Sequence, residues 1–124
     1  MRRILLFGFT GFSDRMRAND LKRELEKQDY ECFIIEPSCY GLTIGEIVAA
    51  PETSTISTSP EDEKLPEPFI LFCGMMGETL DLALGICKGN TRAILTDSNT
   101  RMTALELSAH LLEEKRSIEK AVRR

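Results

Sequence analysis

Apolar residues come in short runs separated by glycine, proline and charge. The first run, Ile4-Leu5-Leu6-Phe7, stops at Gly8. A continuous apolar run of this length, closed by glycine, predicts over residues 3 to 9 a strand buried on both faces and feeding a turn. Ala18, Leu21 and Leu25 then recur at helical spacing among Lys, Arg and Glu through about Gln28, with Ser13 or Asp14 available as a cap. This predicts an amphipathic helix with one narrow buried face. Tyr30 to Ile35 is aromatic and β-branched, a second strand ended by Glu36-Pro37-Ser38. Thr43 and Glu46 form a Thr-x-x-Glu capping box, so a short helix runs from 43 to about 50.

The second half follows the same order. Phe69 to Cys73 reads as a strand, Glu78 to Lys88 as a helix, Ala93 to Thr96 as a strand and Thr103 onward as a long helix. Sliding residues 33–48 onto 93–108 without gaps matches Ile34 with Ile94, Ser38 with Ser98, Thr43 with Thr103 and Glu46 with Glu106. The expected architecture is a single α/β domain, residues 1–124. Two similar βαβα halves, 1–50 and 69–124, build a mainly parallel four-stranded sheet flanked by helices, in strand order 2-1-3-4. Pro51 to Pro68 holds four of the five prolines and reads as a linker or long exposed loop.

Composition narrows the functional classes. The chain is 42% hydrophobic and 29% charged, an ordinary globular balance, and no apolar run approaches the ~20 residues that span a bilayer. The 16 Lys and Arg against 20 Asp and Glu leave a net charge of -4. All of that excess falls in 51–68, so the halves are formally neutral. Net charge thus gives no support for nucleic-acid binding or for a polybasic membrane clamp, although Arg15, Arg17, Lys22 and Arg23 could still make a local basic patch. The apolar run at the N-terminus is too short for a signal peptide. Cys32, Cys39, Cys73 and Cys87 are widely spaced, with only His110 to complete a metal set. Free buried thiols in a reducing cytoplasm are therefore expected, with no metal and no cofactor.

In a parallel 2-1-3-4 sheet, ligands bind beyond the carboxyl ends of the first and third strands. The turns there would be Gly8-Phe9-Thr10-Gly11-Phe12-Ser13 and Gly74-Met75-Met76-Gly77, whose backbone N–H groups could hold an anion or a small polar molecule. Gly8, Thr10, Gly11, Ser13, Gly74 and Gly77 are the candidate ligand residues of those turns. Neither turn matches a dinucleotide or P-loop pattern, Glu36 is the one acid placed to hold a ribose, and glycine after a strand is also what a tight turn alone requires. Thr96, Asn99 and Arg101 form a second candidate cluster, against which stands the turn chemistry of short polar side chains.

Residues 94–114 also carry a family resemblance. Ala93 to Asn99, then Met102-Thr103-Ala104-Leu105-Glu106-Leu107 and a helix running through Leu112-Glu113-Glu114, resemble the bacterial family catalogued as domain of unknown function 3783 over roughly residues 68–115. The matching motif is Thr96-x-x-Asn99 followed by a Thr-headed helix; Asp97 and Met102 stand where the family often has proline and an aromatic residue. The resemblance implies a fold-sized unit and no activity.

The ingredients of catalysis are sparse. His110 lies one helical turn from Glu106 and Glu114 and reads as a solvated imidazole, and Cys73 has no adjacent base to lower its pKa. Excess apolar surface on helix 78–88 and the length of helix 103–124 favour self-association, with homodimer contacts through either helix. The resulting expectation is a cytoplasmic, non-enzymatic binding or regulatory module that self-associates. The alternative is a small-ligand or anion-binding protein, with weak catalytic activity, that uses the glycine turns.

Overall fold

A computed structural model describes residues 2–50 and 65–122, with side chains through Ile118 except that of Ser38. Most of the segment expected to be a linker, residues 51–64, lies outside the described residues. The elements are β1 (Arg3–Phe7), α1 (Phe12–Lys27), β2 (Glu31–Ile34), α2 (Ile44–Ala49), β3 (Phe69–Cys73), α3 (Gly77–Ile86), β4 (Arg92–Ile94) and α4 (Ala104–Val122), with 3-10 turns at Pro37–Cys39 and Asn99–Arg101.

The strands form one sheet in the order β2-β1-β3-β4. β1 pairs parallel with β2, and β3 with β4, but β1 and β3 run antiparallel, with Leu5 opposite Leu71 and Phe7 opposite Phe69. The sheet is therefore mixed, which corrects the mainly parallel arrangement expected from the sequence. The reason is topological. A helical crossover fixes relative direction only for the two strands it joins, whereas β1 and β3 are separated by α1, β2, α2 and a long connection.

Alternation along the strands sends side chains to two apolar layers. Leu5, Phe7, Phe69 and Leu71 face α2 and α4, where Ile44, Ile47, Ala104 and Leu107 are buried. Ile4, Leu6, Ile70 and Phe72 face α1 and α3 through Ala18, Leu25, Ala83 and Cys87. Covering on both faces explains why the central strands read as unbroken apolar runs. The rings of Phe7 and Phe69 stack across the antiparallel pair at 4.6 Å.

The two halves correspond by simple shifts. A shift of 66 residues carries β1 onto β3, and Gly8 and Gly11 onto Gly74 and Gly77. A shift of 60 carries Cys32 to Ile34 onto β4 and Thr43 onto Thr103. The six residues between these shifts equal the difference in length between α1, with 16 residues, and α3, with 10. Thr43 and Thr103 themselves meet in an antiparallel bridge, and Ile44 N–H donates to Met102 O at 2.7 Å.

Local details depart from expectation in three places. α1 starts at Phe12 with Gly11 as its N-cap and no side-chain cap, so Ser13 and Asp14 lie inside its first turn. β3 spans Phe69–Cys73 as read, but β1 and β2 are shorter than read from the sequence, and β4 ends at Ile94 where Asn99 folds back on it. Residues 65–68 do not behave as exposed linker. Leu65 is buried in the core, and Glu67 is tied to α4: its N–H donates to Ser108 Oγ at 2.8 Å, and Ser108 Oγ donates back to its carbonyl at 2.7 Å. The Glu67 carboxylate accepts from Thr91 Oγ1 at 2.8 Å and pairs with Lys115 at 3.2 Å.

Candidate functional site

The antiparallel β1–β3 pair separates the ligand residues read from the sequence. Gly8, Thr10, Gly11 and Ser13 follow β1 at one rim of the sheet; Gly74, Gly77, Thr96, Asn99 and Arg101 follow β3 and β4 at the opposite rim. The crevice expected at the carboxyl ends of the first and third strands is therefore not formed, because those ends point in opposite directions.

Several of these residues have evident local work. Gly8 takes φ +87°, donates its N–H to Tyr40 Oη at 2.8 Å, and lies so close to Pro68 that an added Cβ would sit 2.8 Å from its Cα. Gly74 and Gly77 also adopt positive φ, at +70° and +64°. The Gly11 carbonyl accepts the N–H of Arg15 at 2.8 Å. Asn99 is buried, and its side chain closes the turn after β4: Oδ1 accepts from Thr96 N–H at 2.8 Å, and Nδ2 donates to Ile94 O at 2.9 Å. Thr96 Oγ1 completes the turn by accepting from Asn99 N–H at 3.2 Å. Thr10 is half-buried, while Ser13, Thr96 and Arg101 are exposed.

All four cysteines are free and buried. Burial pushes the thiols of Cys32 and Cys73 up to about 12 and that of Cys87 up to about 11, opposite to what a nucleophile needs. Burial likewise raises the Tyr40 phenol to about 12. His110 is half-exposed and pairs with Glu114 at 3.0 Å. Arg15, Arg17, Lys22 and Arg23 are each paired with an acid, so the basic patch suggested by the sequence is locally neutralised. Among the described residues no group of three His, Cys, Asp or Glu could hold a metal, and no helix is long and apolar enough to cross a membrane.

What the fold does expose is sheet edge. Among the described residues β2 and β4 are each paired on one side only. The bonds from Glu31 N–H to Arg2 O and from Ile35 N–H to Leu6 O, both 2.9 Å, fix the phase of β2. By alternation, Cys32 and Ile34 turn their N–H and C=O groups away from β1. On β4, the bonds from Ile70 N–H to Thr91 O and from Leu95 N–H to Phe72 O leave Arg92 and Ile94 facing outward in the same way, but there Asn99 occupies the Ile94 carbonyl. The 60-residue shift carries Cys39 onto Asn99.

The outer edge of β2 opens onto a groove of about 490 Å³ floored by Cys32, Phe33 and Ile34. Arg15 and Glu36 stand at one end and Glu26 and Glu31 at the other, with Lys22 between. Arg15 grips Glu36 through both guanidinium nitrogens, at 2.8 and 3.2 Å, which holds Arg15 protonated beyond its ordinary value. The sequence reading missed this groove. Its signal was available in the strand order, since 2-1-3-4 makes the second and fourth strands edges whichever way they run. On the helices expected to mediate self-association, Leu82 of α3 is 49% exposed and Ile118 of α4 is 65% exposed. No known protein family, curated protein or solved structure matches the chain.

Proposed function

We propose that the chain is a non-enzymatic binding or regulatory module that self-associates, and that it works through the outer edge of β2. The observation that carries this reading is the outer edge of β2, which among the described residues is paired on one side only and borders a groove of about 490 Å³ floored by Cys32, Phe33 and Ile34. A sheet edge is a template for strand addition, which proteins generally blunt unless they use it.

Other parts of the reading fit around that surface. The two βαβα units are a tandem repeat, supported by the matched shifts and by the two capped turns that meet at Thr43 and Thr103. A reducing, cytoplasmic setting suits four buried free thiols. The resemblance read over residues 68–115 would add a fold-sized unit and no chemistry. A small anion or small molecule bridging the two glycine turns has no common crevice to occupy.

Sedimentation velocity across the micromolar range tests the function. A species of twice the 14.0 kDa chain mass that dissociates on dilution is expected. A monomer at every concentration would end the self-association reading.

A further inference from the structure

Resting on the self-association in that reading, we infer that two copies of this chain associate by exchanging halves across the β1–β3 seam, the first half of each copy closing on the second half of the other. The seam is built like the contact between two identical subunits. The 66-residue shift that carries β1 onto β3 carries Leu5 onto Leu71, and Leu5 lies opposite Leu71 in the ladder. The 60-residue shift carries Thr43 onto Thr103, and these two also face each other, in the bridge between the turns. Equivalent residues that meet one another mark an isologous contact, the kind a twofold axis generates. The surface each half presents is therefore complementary to a half of this same chain, whichever copy supplies it.

The polar ties stay within each half. Arg3–Glu31 and Arg15–Glu36 are ion pairs of the first half, Lys115–Glu67 and His110–Glu114 of the second, and among the described residues no ion pair joins the two. The bond from Gly8 N–H to Tyr40 Oη belongs to the first half, and that from Glu67 N–H to Ser108 Oγ to the second. Across the seam run the main-chain ladder, the Phe7–Phe69 stack, the two apolar layers and a hydrogen bond from Tyr30 Oη to Thr79 O. No disulfide fastens the halves, since all four cysteines are free.

Their covalent tie is the connection over residues 51–64. It leaves α2 beside Val48, whose carbonyl accepts from Arg3 at the start of β1, and arrives at Leu65, which borders Gly8 beyond the end of β1. Closing a chain on itself thus spans about 17 Å at roughly 3.3 Å per strand residue. A connection of this length reaches roughly 50 Å at full extension, enough to close on its own chain or on a neighbour. Exchange forfeits no seam contact, so chain concentration sets the balance between the two arrangements. Each exchanged pair keeps β2 at an outer edge of both sheets and so presents the working edge twice.

A thiol trap across the seam tests the inference. Thr43→Cys and Thr103→Cys chains are unfolded in urea, mixed, refolded together and treated with oxidised glutathione. Directly opposed antiparallel residues lie within the Cα separation that a disulfide bridges. An exchanged pair sets the two added thiols against each other, so the mixture is expected to give a disulfide-linked species of twice the chain mass, and neither variant alone is. Circular dichroism establishes that each variant refolds. A second measurement uses the wild type only. Isotope-labelled and unlabelled dimers can form hybrids only by opening the seam, so hybrid masses are expected to appear at the rate of unfolding, whereas dimers joined edge to edge at micromolar affinity mix within seconds. A wild type that is monomeric at every concentration overturns the inference together with the self-association reading. A wild-type dimer whose trap mixture gives no linked species, or whose hybrids form much faster than the chain unfolds, overturns the exchange while self-association stands.

Discussion

Thr43 and Thr103 face each other across an antiparallel bridge while each caps its own helix. Thr43 Oγ1 accepts the N–H of Glu46 at 3.2 Å, and Thr103 Oγ1 accepts that of Glu106 at 3.1 Å; the glutamate carboxylates return bonds to Thr43 N–H and Thr103 N–H. Two helix starts are thus fastened together at their least satisfied ends. Thr43→Ala and Thr103→Ala are each expected to cost about 1 kcal/mol in urea unfolding. Because the bridge is made by main chain, which both variants keep, the double variant should lose close to the sum of the two. A double loss far from additive would show that the threonine side chains themselves couple the turns.

Two glycines should respond in opposite directions to the same substitution. Gly8→Ala forces a Cβ into a positive-φ residue 2.8 Å from Pro68 Cα, and is expected to lower stability by about 2–4 kcal/mol. Gly85 lies near the end of α3 with nothing within 4 Å of an added Cβ. Gly85→Ala is expected to raise stability by about 0.5–1 kcal/mol. Thermal melts of the two variants decide the matter, and equal effects would contradict the contrast.

Asn99 is both the staple of the turn after β4 and the cap on that edge. Asn99→Ala leaves Thr96 N–H and Ile94 O without their side-chain partner and is expected to cost about 2–3 kcal/mol. Asn99→Asp keeps an acceptor for Thr96 but loses the donor to Ile94, and should cost less. Hydrogen exchange separates the two: the Thr96 amide should exchange faster in the alanine variant and remain protected in the aspartate variant. Fast exchange in both would remove the acceptor role assigned to Oδ1.

Stability should fall on the alkaline side. The folded chain holds the Cys32, Cys73 and Cys87 protons to about 12, 12 and 11, whereas the ordinary value is near 9. Between those limits the unfolded state has released protons that the folded state keeps, so the stabilisation is complete below about pH 9 and is lost as the pH rises toward 11–12. Each thiol contributes a slope of about 1 kcal/mol per pH unit in that window. Tyr40 adds to the slope above pH 10. Denaturant unfolding at pH 7, 9 and above should show the decline, with a shallower slope in Cys32→Ala; stability unchanged well past pH 10 would count against buried thiols.

The C-terminal part of α4 provides a control on the interface. Ile118 is exposed, so Ile118→Glu should alter stability by no more than about 0.5 kcal/mol and leave the sedimenting mass unchanged. A variant that sediments as a monomer would place the interface on α4.

Local signals in the chain translated well into structure. Apolar runs located the four strands, the Thr-x-x-Glu spacing located the capping box at Thr43 and Glu46, whose match at Thr103 and Glu106 is a second one, and the order 2-1-3-4 followed from connection economy. The direction of β3 against β1 was not legible, since no single crossover joins them, and with it went the expected crevice between Gly8 and Gly74. Asn99 stood out as a short polar residue after a strand, but the sequence leaves open whether such a side chain faces a ligand or its own turn. The tie from Glu67 to Ser108 spans 41 residues, beyond the reach of any local pattern.

That tie also determines how the last helix is indexed. The buried Ser108 hydroxyl gives one bond to the main chain of Glu67 and takes another from it. If α4 slid by a turn along its axis, it would still find apolar surface, but the hydroxyl and the amide would be stranded. α4 is therefore a latch with a single notch, and the notch is cut by the residues that lead into the strand it covers.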